Sequence, residues 1–175
     1  NGRGTEYLAR VEQVGTASVA VRPYQNVVPA KEPEVALTVA AALLKGRTFD
    51  AIVRDVTMVG VVALQPLVTN RTEARGWDVE RWTRIAVAST KQCRRAVIPE
   101  IRTPQPFGSF LDDDCSTLRL VLVEPKDSNR GTSTLRTLEA RSTPSSATLT
   151  VGPEGGWSDD EIEAARMAGF VPITF

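Results

Sequence analysis

The chain has 175 residues, of which 42% are hydrophobic and 24% charged, and its 21 lysines and arginines balance its 21 aspartates and glutamates. This length and composition are typical of one folded domain with a small additional module, and they exclude a disordered, collagen-like or coiled-coil chain. The sequence contains no histidine, which excludes a histidine base, a histidine-bearing triad and a histidine-ligated metal.

Cysteine spacing and hydropathy exclude two further classes of protein. Cys93 and Cys115 do not form a CxxC motif, so we expect neither a metal site nor a disulfide framework, and free thiols indicate a reducing compartment. We also find no apolar run of the ~20 residues needed to cross a membrane, and no secretory leader. The expected protein is therefore cytoplasmic, with no membrane and no metal among its partners.

The first 30 residues predict a small β module. Residues 7–11 and 17–21, on either side of Gly15, are rich in apolar side chains and predict strands. The sequence begins within this pattern, which is typical of a β module of which only part is present. Residues 23–33 contain three prolines, which predict a linker because proline interrupts a strand ladder. We place the domain boundary near Lys31.

From residue 31 onward, helical and strand patterns alternate. Apolar runs at 35–44, 59–64, 118–124 and 147–151 flank a segment with helical apolar spacing, and residues 127–146 predict a loop with a weak helix. The helical spacing is carried by Phe49, Ile52, Val53 and Val56. Such alternation predicts an α/β fold with a mostly parallel sheet.

A second helix is predicted at about residues 80–92. It places Trp82, Ile85, Ala86 and Ser89 on one face. Nearly opposite lie Arg81, Arg84 and Lys91, and Arg95 would extend this stripe if the helix continued. Two interpretations stay open: a solvated outer face, or a surface that binds RNA phosphates.

The segment at 151–169 carries the strongest chemical signal. It combines the end of a buried strand, a glycine-rich turn and a helix whose start is marked by an S-x-x-E capping box from Ser158 to Glu161. Glycines without Cβ atoms let the backbone approach a flat ligand, although a plain tight turn with a solvated Glu154 explains the same spacing. Phosphate is disfavoured, because Asp159 and Asp160 would repel it at the helix start.

These residues resemble the RsmE family of 16S rRNA methyltransferases in the SPOUT superfamily. The motif is Gly152-Pro-Glu-Gly-Gly-Trp-Ser-x-x-Glu161, followed by Ala168-Gly-Phe170. Further matching motifs are Leu44-Lys45-Gly46, Gly60-Val61, Pro66, Glu80-Arg81-Trp82, Lys91-Gln92-Cys93-x-Arg95 and Val97-x-Pro99-Glu100-Ile101. The resemblance therefore runs, in order, through nearly all of the chain from Leu44 onward.

The resemblance implies methylation of uridine N3 in 16S rRNA of the 30S subunit, with S-adenosylmethionine as cofactor. The expected fold is a SPOUT domain with a trefoil knot over residues 31–175, preceded by part of a PUA-like β-barrel at 1–30, and the expected assembly is a homodimer. The alternatives are a non-catalytic ribosome-binding module and a SPOUT methyltransferase that acts on another RNA.

Candidate residues follow from the same motifs. The cofactor is expected at Leu122, Val123, Glu124, Val151, Gly152, Pro153, Glu154, Gly155 and Gly156. RNA contacts are expected from Arg81, Arg84, Lys91, Gln92, Arg94 and Arg95. For catalysis, Arg95 or another guanidinium would stabilise negative charge on uracil, and Glu124, Glu154 or water would take the N3 proton. Each carboxylate is equally well explained as an ordinary strand-end or turn acid.

Two departures from the family pattern stand out. Arg94 occupies a position where the family usually has glycine. The sequence also ends at Phe175, where the family continues into a Leu-Gly-x-Arg-x-Leu-Arg-x-Glu-Thr segment. We therefore expect the C-terminal part of the knot to be absent from this chain.

Overall fold

The computed structural model describes residues 2–73, 76–124, 133–134 and 143–174. Its strands are β1 (Glu6–Val14), β2 (Val19–Val27), β3 (Ala36–Ala42), β4 (Ala63–Val68), β5 (Glu100–Ile101), β6 (Gln105–Pro106), β7 (Leu118–Leu122), β8 (Ser133–Thr134), β9 (Ser146–Val151) and β10 (Val171–Thr174). Its helices are α1 (Thr48–Val59), α2 (Val79–Gln92), α3 (Phe107–Asp113) and α4 (Asp159–Met167). The loop and weak helix predicted at 127–146 lie mostly outside the described residues.

The first two strands form an antiparallel ribbon that corrects the predicted start of the linker. β2 continues through Pro23 to Val27, and Pro23 stands opposite Ala9. The pairing register shifts between Leu8 and Ala9, and such an irregularity in a two-stranded ribbon accommodates a proline that has no N–H to donate. The domain boundary near Lys31 stays a prediction.

The main sheet confirms the predicted α/β class. Among the described residues it contains eight strands, seven of them in the order β5-β4-β3-β9-β7-β10-β8 while β6 pairs with β4, and all of these pairings are parallel. Helices cover both faces, so the central strands β3 and β4 are almost entirely buried.

Alternate residues of β3 face two different apolar layers. Val39 and Ala41 pack against α1 and α2, where the rings of Phe49 and Trp82 lie 4.6 Å apart between centroids. Ala40 points the other way, into a layer built from α3, α4 and the aromatic side chains beside them. Within the described part of the chain, no helix is both long and apolar enough to span a bilayer.

The strand order reverses at the junction of β3 and β9. From β3 the chain moves outward through α1 to β4, whereas from β9 it moves the other way through α4 to β10, which lies beyond β7. In parallel α/β sheets, this reversal opens a crevice at the carboxyl ends of the strands, where ligands bind. The glycine-rich turn begins directly after β9, and the fold therefore places it beside this crevice.

Helix α2 confirms the predicted helix at 80–92, and Trp82, Ala86 and Ser89 are buried on its inner face. The helix does not continue to Arg95. Arg94 follows it with φ of 57°, in the left-handed region that favours glycine. This backbone geometry gives a physical reason for the glycine that the related family usually carries there.

Replacing Arg94 with glycine should therefore stabilise the fold. A side chain in the left-handed region costs roughly 1–2 kcal/mol, and part of this gain is lost to the greater freedom of glycine in the unfolded chain. We expect Arg94→Gly to raise the free energy of unfolding in urea by about 0.5–1 kcal/mol. The matched control, Arg84→Gly within α2, should lower it by about 1 kcal/mol. A less stable Arg94→Gly variant would show that the backbone at Arg94 is not strained.

Candidate functional site

Four loops meet at the carboxyl edge of the sheet, because parallel strands all end on the same side. Lys45 follows β3, Asn70 and Arg71 follow β4, Glu124 follows β7, and residues 152–158 follow β9. The predicted cofactor residues Leu122, Val123, Glu124 and Val151 to Gly156 are thus brought to the ends of two neighbouring strands, β7 and β9.

Position 152 has no room for a side chain, because an indole ring packs against it. A Cβ at this position would lie 2.9 Å from the Trp157 ring. Trp157 is buried, its Nε1 donates to the carbonyl of Leu122 at 2.9 Å, and its ring packs on Phe107 with centroids 4.6 Å apart. Gly152 therefore serves close packing that ties the turn after β9 to the end of β7.

The turn itself is closed by Gly156, which has φ of 71° and donates its amide to the carbonyl of Pro153 at 2.8 Å. A Cβ on Gly156 would lie 3.7 Å from Oε1 of Glu124. Within the described residues, the amides of Glu154 and Gly155 donate to no protein acceptor. The turn therefore presents backbone donors beside a carboxylate.

The start of α4 has the predicted capping box, and it extends further than the sequence indicated. Oε2 of Glu161 accepts from the amide of Ser158 at 2.9 Å and from its hydroxyl at 3.1 Å. Oε1 of the same carboxylate accepts from the amide of Asn70 at 2.8 Å, and Asn70 Nδ2 donates to Ser158 Oγ at 3.0 Å. The loop after β4 is therefore attached to the start of α4.

A cavity of about 420 Å³ opens beside the glycine-rich turn. It is lined by Lys45, Asn70, Arg71, Thr72, Glu73, Glu154 and Gly155. Nη1 of Arg71 donates to the carbonyl of Gly155 at 2.7 Å. Apart from Glu154 and Gly155, the candidate residues derived from sequence missed this group. The sequence signal for these residues is their position, because each follows a predicted strand and parallel strands end at the same edge of the sheet.

Arg95 lies away from this edge. Its side chain is 8% exposed, bonded to Glu32 at 2.6 and 2.9 Å and to the carbonyls of Thr57 and Val61 at 2.7 and 3.1 Å. Glu32 and Val61 precede β3 and β4, so this network lies at the amino edge, a strand length of about 20 Å from the carboxyl edge. The three predicted catalytic residues therefore fall into two places: Glu124 and Glu154 at one edge, Arg95 at the other.

The remaining predicted RNA residues divide by exposure. The guanidinium of Arg81 forms three hydrogen bonds of 2.6–3.2 Å with Asp50, a buried residue of α1, and these bonds hold the pKa of that carboxyl below its usual range. The exposed members of the set are Arg84, Lys91, Gln92 and Arg94. Lys91 and Arg94 also line a second cavity of about 550 Å³, between α2 and the start of the chain.

The donor set at the carboxyl edge suits S-adenosylmethionine. Adenine requires N–H and C=O groups along its edge, and the exposed residues Glu154 and Gly155 offer backbone amides that donate to no acceptor in the described part of the chain. A sulfonium cation and ribose hydroxyls favour carboxylates, and Glu124 lies beside the turn. The residues present therefore fit this cofactor at the ends of β7 and β9.

Fold and site together define a parallel α/β domain with a glycine-rich turn at its switch point. A family model for the RNA methyltransferase domain matches residues 31–175, and the chain belongs to this family. Within it, the relatives place the chain in the RsmE group of rRNA methyltransferases.

Two named relatives illustrate the similarity. The chain is 33% identical to the ribosomal RNA small subunit methyltransferase E of Synechocystis over 180 residues, which cover 99% of this chain and 57% of the relative. It is 28% identical to the enzyme of the same name from Rickettsia conorii, covering 93% of this chain and 65% of the relative. The chain thus spans about three fifths of the length of these relatives.

A solved structure shows the same fold. A putative methyltransferase from Legionella pneumophila, in complex with the bound cofactor SAM, matches with a TM-score of 0.87 and 28% identity. The match covers all of this chain and 72% of the Legionella chain.

The bond between Arg81 and Asp50 predicts a pH dependence of stability. Because the folded state lowers the pKa of Asp50, this carboxylate stabilises the fold above its unfolded pKa of about 4, and the effect disappears as pH falls through the lower folded pKa. Asp50→Asn should therefore be less stable than the parent at pH 7, with a difference that shrinks below about pH 4. Urea unfolding from pH 7 to 2.5 measures this, and Asp55→Asn, at an exposed position of α1, is the control. A constant difference across this range would contradict the assignment.

The glycines of the turn should differ in their tolerance of a methyl group. At Gly152 a Cβ meets the buried indole at 2.9 Å, whereas at Gly155 it meets only the flexible side chain of Arg71 at 3.4 Å. We expect Gly152→Ala to lower the free energy of unfolding by about 1–3 kcal/mol, as overpacking does, and Gly155→Ala to change it by less than about 0.5 kcal/mol. Equal effects in urea unfolding would show that the indole is not confined.

Proposed function

We propose that the protein carrying this chain uses S-adenosylmethionine to methylate N3 of a uridine in 16S rRNA of the small ribosomal subunit, in the cytoplasm. The observation that carries the proposal is the glycine-rich turn at the switch point of a chain in an RNA methyltransferase family. The bound cofactor of the Legionella protein, whose fold matches the whole chain, supports the choice of S-adenosylmethionine.

The proposed cofactor residues are Leu122, Val123, Glu124 and Val151 to Gly156, which lie at the ends of β7 and β9. S-adenosylmethionine supplies the methyl group as a sulfonium and departs as the neutral thioether S-adenosylhomocysteine. The role of this chain is to hold the adenine edge on the backbone of the turn. Trp157 keeps that turn in place through its bond to the carbonyl of Leu122.

Proton removal is the chemical problem that the protein must solve. N3 of uracil carries a proton at neutral pH, and its lone pair is a good nucleophile only as the N3–H bond breaks. Glu124 and Glu154 are the proposed acceptors, with water as an alternative. The electron pair of N3 then forms the bond to the methyl carbon, while the carbon–sulfur bond breaks and its electrons return to sulfur. A cation must stabilise the negative charge on the uracil oxygens during this step.

RNA phosphates are proposed to bind the exposed residues of the stripe on and after α2, namely Arg84, Lys91, Gln92 and Arg94. Arg81 contributes charge to this surface while it holds Asp50. Arg95 fixes the position of this surface, because its guanidinium joins the segment after α2 to Glu32 and to the end of α1.

Three further features are proposals that rest on the family resemblance: a PUA-like module at 1–30, a trefoil knot within the domain at 31–175, and a homodimer. The exposed valine and tyrosine side chains of the ribbon support the first, since an isolated two-stranded ribbon is marginally stable in water. The passage from β9 to β10 across β7 supports the second.

The decisive experiment supplies cofactor and substrate together. The protein is titrated with S-adenosylmethionine in a calorimeter and then incubated with unmethylated 30S particles and methyl-labelled cofactor. We expect saturable binding and label in 3-methyluridine after digestion of the 16S rRNA to nucleosides. Absence of cofactor binding would leave a non-catalytic RNA-binding module, and label in a different nucleoside or only in another RNA would refute the uridine N3 assignment.

A further inference from the structure

The cavity of about 420 Å³ beside the glycine-rich turn shares Glu154 and Gly155 with the proposed cofactor site, but its other lining residues have no role there. Its volume lies within the range of about 300–1,000 Å³ that is typical of small-molecule sites. Its walls come from the loops after β3 and β4 on one side and from Glu154 and Gly155 on the other. The cavity therefore lies on the side of the turn away from β7.

The turn lies between two regions because β9 lies between β3 and β7 in the sheet. A Cβ on Gly156 would meet Oε1 of Glu124 at 3.7 Å and Nη1 of Arg71 at 4.0 Å, so the guanidinium of Arg71 reaches across the turn toward the β7 side. On the β4 side, a Cβ on Gly155 would meet the stem of Arg71 at 3.4 Å. With the cofactor at the ends of β7 and β9, the β4 side is left for the molecule that receives the methyl group.

Arg71 is the cation of this cavity that is best placed to act on a ligand. Lys45 forms an ion pair with Glu73, whose hydrogen bond and charge raise the pKa of Lys45, so its positive charge is already compensated. Arg71 instead donates to one neutral acceptor, the carbonyl of Gly155, and a guanidinium has five N–H donors. Within the described residues it pairs with no carboxylate, and its side chain is exposed.

The position of Arg71 is built into the fold. The preceding residue, Asn70, is bonded through its amide to Glu161 and through its side chain to Ser158. On the other side, the hydroxyl of Thr72 accepts from the amide of Thr69 at 2.9 Å. A donor held in this way needs little rearrangement when charge develops on a ligand, which is the basis of electrostatic catalysis.

We infer that this cavity binds the uracil ring of the target nucleotide and that Arg71 donates to a carbonyl oxygen adjacent to N3. This inference rests on the proposed function and names the cation that its chemistry requires. As the N3 proton passes to a carboxylate, negative charge spreads onto the two neighbouring oxygens, and the guanidinium stabilises it. The N3–H bond is replaced by the N3–methyl bond, and sulfur recovers the electrons of its bond to the methyl carbon.

The test compares Arg71→Met and Arg71→Lys with the parent protein, and it uses Arg54→Met, at an exposed position of α1, as the control. Methylation of 30S particles is followed in single turnovers at saturating S-adenosylmethionine between pH 6 and 9.5, and cofactor affinity is measured by calorimetry. We expect Arg71→Met to lower the rate on the order of 10²–10³-fold. Arg71→Lys should recover part of the rate, and Arg54→Met should match the parent.

The pH profile separates chemistry from structure. Without the guanidinium the uracil proton is held more tightly. The rate of Arg71→Met should therefore reach half of its maximum at a higher pH than the rate of the parent, while cofactor affinity stays within about threefold. An unchanged rate, an unchanged pH profile or an equal loss of cofactor affinity would each overturn the assignment. If the parent protein itself transfers no methyl group, the proposed function fails first, which is a distinguishable result.

Discussion

The carboxylate of Glu161 is the contact on which the site depends most. It is 7% exposed and accepts hydrogen bonds from Ser158 in the glycine-rich segment and from Asn70 after β4. A buried carboxylate is stable only when such donors compensate for its lost hydration. One side chain thus joins the start of α4, the end of the turn and the loop that carries Arg71.

The second constraint is the indole of Trp157, which connects the same turn to β7. Its ring occupies the space above Gly152, and its N–H satisfies the carbonyl of Leu122 beyond the last pairing of β7 with β9. Together with Glu161, it holds the turn on both sides. Glu154 and Gly155 lie between Gly152, which packs on the indole, and Ser158, which bonds to Glu161. These two residues are therefore exposed, while buried neighbours determine the position of their backbone.

Charge is distributed according to the two edges of the sheet. At the amino edge, Arg95 is buried among Glu32 and two backbone carbonyls, and this network stabilises the junction of α1, α2 and the segment before β3. At the carboxyl edge, Arg71 is exposed and bonded to one carbonyl. The two arginines therefore differ in the donors they can offer a ligand, because Arg95 uses its guanidinium on Glu32 and two carbonyls, whereas Arg71 donates to one carbonyl.

Local signals in the sequence determined the α/β class, the capping box of α4, the helix at 80–92 and the glycine-rich turn after a buried strand. Each depends on neighbouring residues, through hydrophobic period or cap chemistry, and the family resemblance added the cofactor. Only the tertiary structure decided that Arg95 is buried at the opposite edge, that Gly152 accommodates an indole, and that Arg71 lies over Gly155. These placements depend on strand order and on contacts between residues distant in sequence, as between Asn70 and Glu161, which periodicity along a single chain does not encode.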